Sequence, residues 1–245
     1  MSTQYTSQTQ YGKIEDFNLQ VARGQIQGHS TVNIYGYQPE VAQTFIPIWE
    51  NATAYTYPPS AITMYVAGTN GDSASILISG LDAGYKPISE TVVMNGSTPV
   101  PTVKQYLRIN SMQVTAGSAT NPAGVVTLKN LAANTIYAQI NTGVGRTQAA
   151  IYTVPAGYTF YLSRIDVNTS LNGSNFATYQ NKTATPSGVI TLTQQAPFAI
   201  NYNTQRVMPR AFSEKTDIQL MCKVNSTAGV ISISQEGYLI KNFTE

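Results

Sequence analysis

The chain has 245 residues, enough for one large β domain or two small ones, each with its own core. Charged residues make up 11% of it, against about 25% in an ordinary soluble domain, and the net charge is +2. With no basic run, nucleic-acid binding has no electrostatic footprint, and an apolar content of 42% excludes a disordered chain.

The first 30 or so residues are polar and Gln-rich. The opening "MSTQYTSQTQYGKIEDF" lacks the charged and apolar blocks of a signal peptide. Residues 1–30 are read as an extended arm that docks on a neighbouring subunit, the other reading being a frayed terminus. Phe17, Leu19 and Val21 alternate, so they are the expected partner-binding residues, forming a short strand added to another subunit's sheet edge. His29 follows, the only histidine. A Ser-His-Asp triad would have to use it, yet no Gly-x-Ser-x-Gly elbow exists, so His29 is read as structural.

From residue 31 onward the pattern is that of strands. "AITMYVAG" places Ile62, Met64 and Val66 on one face and Thr63 and Tyr65 on the other. Trp49, Tyr55, Tyr57 and Tyr65 lie close together in sequence, which offers rings either to sugars or to packing between sheets. "GTNGDSAS" carries Asn70 and Asp72 in a turn. Two such side chains fall short of the six to eight oxygens calcium takes, so a plain turn is expected. Asp82 and Glu90, in "LDAGYKPISETVVMNG", are the best local carboxylate pair for glycoside hydrolysis, but they read as the two sides of a β-hairpin.

Tyr106–Thr115 followed by "NPAGVVTLKN" resembles Tyr161–Ser170 followed by "TPSGVITLTQ". Either a sandwich is duplicated or two β units share a turn vocabulary. The glycines of "NTGVGRTQ" mark the boundary between a first β domain, 31–142, and a second, 143–245. Near the end, "TDIQLMCKVN" puts Ile218, Leu220, Cys222 and Val224 on one face. Cys222 is the only cysteine, is expected to be buried, and excludes a disulfide within the chain and a cysteine-built metal site. Seven Asn-x-Ser/Thr triplets are a chance product of the composition. No phosphate loop and no run of about 18 apolar residues occurs, so no cofactor and no membrane span is expected. The expected fold is all-β, with one or two antiparallel, jelly-roll-like β-sandwich domains.

The stretch "ILISGLDAGYKPISETVVMNGSTPVPTVKQYLRINSMQV" resembles wording that recurs in structural proteins of tailed bacteriophages, marine and cyanobacterial phages especially. "VARGQIQGH", "AIYTVPAGYTFYL" and "FSEKTDIQL" are similar to further pieces of that family, so the likeness touches most of residues 21–239. It implies a virion component without enzymatic activity: a head-decoration, neck or tail protein that packs against copies of itself and other virion proteins after synthesis in the host cytoplasm. The alternative is a fibre or receptor-binding module that contacts host surface glycans.

Overall fold

The computed structural model describes residues 15–51, 53–71, 73–117 and 122–243. One short helix precedes sixteen strands: α1 (Phe17–Ala22), β1 (His29–Val41), β2 (Ile46–Pro47), β3 (Ile62–Gly68), β4 (Ala74–Leu81), β5 (Pro87–Val93), β6 (Val100–Tyr106), β7 (Arg108–Gly117), β8 (Val126–Asn130), β9 (Thr135–Ile140), β10 (Ile151–Thr153), β11 (Tyr158–Thr169), β12 (Ala177–Ala184), β13 (Ile190–Phe198), β14 (Asn201–Phe212), β15 (Asp217–Val224) and β16 (Gly229–Lys241). The chain is all-β, as its period-two alternation requires, and every named ladder is antiparallel. No helix among the described residues is long and apolar enough to cross a membrane.

Two cores divide the strands into two units. In the first unit, the sheet β6-β3-β8-β9 faces the sheet β5-β4-β7 over Met64, Val66, Ile76, Ile78, Met112 and Leu128, all fully buried. In the second, the sheet β1-β16-β11-β14 faces a sheet built as β10-β15-β12-β13, with β2 beside β15. Its core holds Phe160, Leu162, Ile165, Val167, Tyr179, Ile218, Leu220 and Cys222. The buried Cys222 thiol is pushed well above its ordinary range by loss of solvation.

The expected domain boundaries need one correction. The division near residues 141–148 falls where the chain leaves β9 of one unit for β10 of the other. At the other end, however, β1 pairs with β16 from His29↔Ile240 to Val41↔Gly229, so β1 and β2 belong to the C-terminal unit rather than to a 31–142 domain. The unit spanning residues 62–140 is therefore inserted between β2 and β10 of the other. Its placement follows from β1: Ile34 and Val41 enter the second core, while the residues between them that point outward are polar.

The internal echo differs in topology between the units. β7 leads directly to β8 in the opposite sheet, whereas β11 and β13 are separated by β12.

The strand expected over Phe17–Val21 is a helix. Asp16 caps it, its side chain accepting from Asn18 N at 2.9 Å and Leu19 N at 3.3 Å. Gly24, at φ 68°, ends it with a paired closure: Gly24 N donates to Val21 O, and Gln25 N donates to Gln20 O. Phe17 and Val21 share a face at i, i+4; Val21 is buried while Phe17 and Leu19 are half exposed. Residues 15–28 thus pack partly on their own subunit, with Ile26 also buried. The part of the expected arm before Glu15 lies outside the described residues.

Candidate functional site

The opening carboxylate pair is held as hairpin structure. Asp82 Oδ1 accepts from Gly84 N at 2.8 Å and Lys86 N at 2.9 Å, closing the turn between β4 and β5. Glu90, on β5, accepts from Val103 N at 2.9 Å and Lys104 N at 3.2 Å on β6, so it ties the first unit's two sheets together at their edge. Its charge, added to burial, raises the Tyr106 phenol. His29 begins β1, its Nδ1 3.1 Å from Gln27 O and its ring edge-on to Phe17. Asn70 bonds the adjacent Gly71 N, and Asp72 lies outside the described residues. Among the described residues, no three His, Cys, Asp or Glu side chains gather as a metal site.

The rings offered by sequence for sugar stacking mostly form a joint between the units. Trp49 and Tyr55 are buried with Ile151, their rings 5.1 Å apart and edge-on, and Ile136 of the inserted unit packs against them. Tyr55 Oη donates to Tyr137 O at 3.1 Å. Beside this joint, Arg108 at the start of β7 meets Asp217 at the start of β15. Nε and Nη2 bind the two carboxylate oxygens at 2.8 and 2.9 Å. Nη1 donates to Pro58 O and Leu107 O, Nη2 also reaches Tyr85 Oη, and the guanidinium lies 4.4 Å from the Tyr57 ring centre. Thr153 Oγ1 adds a 2.6 Å bond to Asp217. Every guanidinium N–H is used. Burial works against the Arg108 charge, but the bond to Asp217 and that residue's charge outweigh it and hold the pKa above its ordinary value. Asn110 and Thr153 exchange two further bonds across the same seam. The Arg108 guanidinium and the Asp217 carboxylate are thus fully paired with each other and their neighbours, which fixes the units.

Glu50, next to Trp49, is the second buried carboxylate here. Gln148 N donates to its Oε1, while Oε2 has no hydrogen-bond partner among the described residues. Desolvation pushes its pKa up to about 8, against smaller opposing effects of backbone hydrogen bonding and of Arg146.

Two surfaces among the described residues differ from the rest in chemistry. The first is the outer face of the sheet β1-β16-β11-β14, where the register aligns outward side chains in four rows across the strands. These are Thr31, Tyr238, Tyr161 and Ala211; Asn33, Glu236, Arg164 and Gln205; Tyr35, Ser234, Asp166 and Asn203; and Tyr37, Ser232, Asn168 and Asn201. Ser163 is an extra residue of β11 opposite β16, and residues 206–209 bulge from β14 beside it. Gly237 permits the close pass at this bulge, since a Cβ there would run into the Tyr161 carbonyl oxygen. The result is a groove of about 460 Å³ bordered by Asn18 of α1 and floored by Asn33, Arg164, Gln205, Glu236 and Tyr238.

The second surface is apolar. β13 and β14 end their respective sheets and are joined by the turn at Ala199 and Ile200. Val189, Ile190, Leu192 and Ile200 are more than half exposed, Met208 is 83% exposed and Val207 wholly so. Arg206 binds Gln194, and Arg210 Nη1 donates to Thr193 O at 2.6 Å, so the bulge is fastened to β13 while Val207 and Met208 point away. Pro197 and the bulge carrying Pro209 interrupt both edges, which makes strand addition there unfavourable and leaves side-chain burial as the means of contact.

Sequence reading missed Arg108, Asp217, Glu50 and the β13–β14 edge. A usable signal existed for Arg108: an arginine between Leu107 and Ile109 at a strand start calls for a buried partner. Phe17, Leu19 and Val21 do not form one surface, because Val21 is 2% exposed. No protein-family model matches this chain, and no curated protein matches it.

Proposed function

We propose that this chain is a non-enzymatic assembly subunit, a structural component of a phage-type virion that works by packing against copies of itself and other virion proteins. The observation that carries the reading is the apolar β13–β14 edge. Val207 and Met208 stand fully or nearly exposed on a bulge fastened to Gln194 and Thr193 of β13, a strand that also exposes Leu192. A monomer gains nothing from such a patch, while an assembled subunit buries it at roughly 25 cal/mol per Å² of apolar area. The Arg108–Asp217 clamp between the units supports the same reading, because a particle subunit must present its surfaces at a fixed angle. The wording of Ile76–Val114, which resembles that of phage structural proteins, supports the virion among possible assemblies. Head decoration, neck and tail positions all suit it.

The test is the triple variant Leu192→Asp, Val207→Asp, Met208→Asp. Sedimentation of the wild-type chain, alone and with purified phage-type particles, is expected to show self-association or particle binding. The variant is expected to keep its thermal unfolding midpoint within a few degrees and to lose that association. A wild-type chain that stays monomeric and does not bind particles refutes the proposal, as does a variant that associates normally.

A further inference from the structure

We propose that the outer face of the sheet β1-β16-β11-β14 is a binding site for a neutral oligosaccharide, centred on the groove beside the Ser163 bulge. The chemistry of the four rows selects this ligand class. Their only aliphatic side chain is the Ala211 methyl, so their apolar surface is confined to tyrosine rings set among amides and hydroxyls; the exposed aliphatic side chains Val207, Met208 and Leu192 lie on the β13–β14 edge instead. They carry one cation, Arg164, against Asp166 and Glu236, and Arg164 Nε is already paired with Asp166 at 2.6 Å. A sulfated or phosphorylated polymer therefore finds no free positive field, and nucleic acid is excluded on the same ground.

What the face does offer is amides, hydroxyls and tyrosines. Asn33, Asn168, Asn203 and Gln205 each present a donor and an acceptor, which is what a polyol with both roles on every hydroxyl requires. Tyr35 and Tyr161 are half-buried on the sheet, giving apolar ring surface for the C–H faces of a sugar. The choice of side chains separates this face from an ordinary solvated one. No lysine stands in the rows. The short amides and two-torsion phenols lose little rotamer freedom when a ligand covers them. Shape agrees: the two bulges sink the sheet into a groove of about 460 Å³, inside the roughly 300–1,000 Å³ range of small-ligand clefts.

This inference does not rest on the assembly reading: the four rows contain none of the exposed apolar residues of the β13–β14 edge, although the bulge carrying Val207 and Met208 flanks the groove. The probes are hexasaccharides of neutral glucans, mannans and galactans, with sulfated and uronic counterparts, screened on an array and measured by titration calorimetry. At least one neutral hexasaccharide is expected to bind saturably and at least ten-fold tighter than its sulfated counterpart. The variants Tyr161→Ala and Gln205→Ala, both on the open side of the sheet, are expected to weaken binding at least three-fold each and ten-fold together. Leu192→Asp, on β13 and outside both bulges, should leave it unchanged. The proposal is overturned if no neutral hexasaccharide binds, if only anionic ones or proteins do, or if binding survives the double variant with its fold intact.

Discussion

Asp217 and Glu50 are both carboxylates buried at the joint between the two units, 6% and 7% exposed. Asp217 faces a bidentate guanidinium and a threonine hydroxyl, so both its oxygens are partnered. Glu50 receives one backbone N–H and leaves Oε2 without a partner among the described residues, so its surroundings favour the proton. The same residue class at similar depth is thus a fully partnered clamp in one place and a pH-dependent element in the other. Partners decide which; burial alone does not.

The largest effect is expected from breaking the clamp on one side. Arg108→Met leaves Asp217 buried without its cation and removes five hydrogen bonds. Urea unfolding should show a loss of about 3–5 kcal/mol, the usual cost of a buried charge stripped of its partner. Adding Asp217→Leu to Arg108→Met should recover part of that loss, because no charge then remains to be solvated. A single variant as stable as the wild type would show that the pair contributes nothing to holding the units.

Glu50 is expected to act second and in a pH-dependent way. Its folded pKa of about 8 lies above the ordinary 4.5, so the folded state binds this proton more tightly than the unfolded chain. Stability from this group is complete below pH 4.5 and falls as pH rises towards 8, by at most a few kcal/mol at about 1.4 kcal/mol per unit. Glu50→Gln should remove that slope: little change at pH 5, and a higher unfolding midpoint than the wild type at pH 8. A wild-type midpoint that rises between pH 5 and 8, with no difference in the variant, would contradict the assignment.

The sequence shows the difference between these two carboxylates poorly, although it shows the fold class well. Alternation in Ile62–Val66 and Ile218–Val224 is local, so it reads directly as strands. The pairing of β1 with β16 joins residues some 200 positions apart, so nothing local shows that β1 belongs to the C-terminal unit and not to the strands that follow it. The helix over Phe17–Ala22 was legible in Asp16 and Gly24, the cap and the stop, but the alternation of Phe17, Leu19 and Val21 masked it. Arg108 and Asp217 lie 109 residues apart, and nothing near Glu50 distinguishes it from a surface glutamate. The open polar face is also a product of register: its sixteen side chains come from four strands and converge only once the sheet exists.

The smallest effect sharpens the comparison with a neutral group. Gln235, on β16 opposite Ile165, is wholly buried inside the second core, and neither its Oε1 nor its Nε2 has a hydrogen-bond partner among the described residues. It is the uncharged counterpart of Glu50: a buried polar side chain beside the Tyr179 phenol, making no hydrogen bond of good geometry and without a proton to adjust. A buried amide left unpaired costs about 1–3 kcal/mol. Leucine is close to glutamine in volume and brings no polar atoms, so Gln235→Leu should raise stability by about 1 kcal/mol, equally at pH 5 and pH 8. That flat response is the point of the test, because it separates the cost of desolvating a dipole from the cost of desolvating a charge. A loss of more than about 2 kcal/mol would mean that the amide is satisfied inside the core and belongs with Asp217, among the groups whose partners justify their burial.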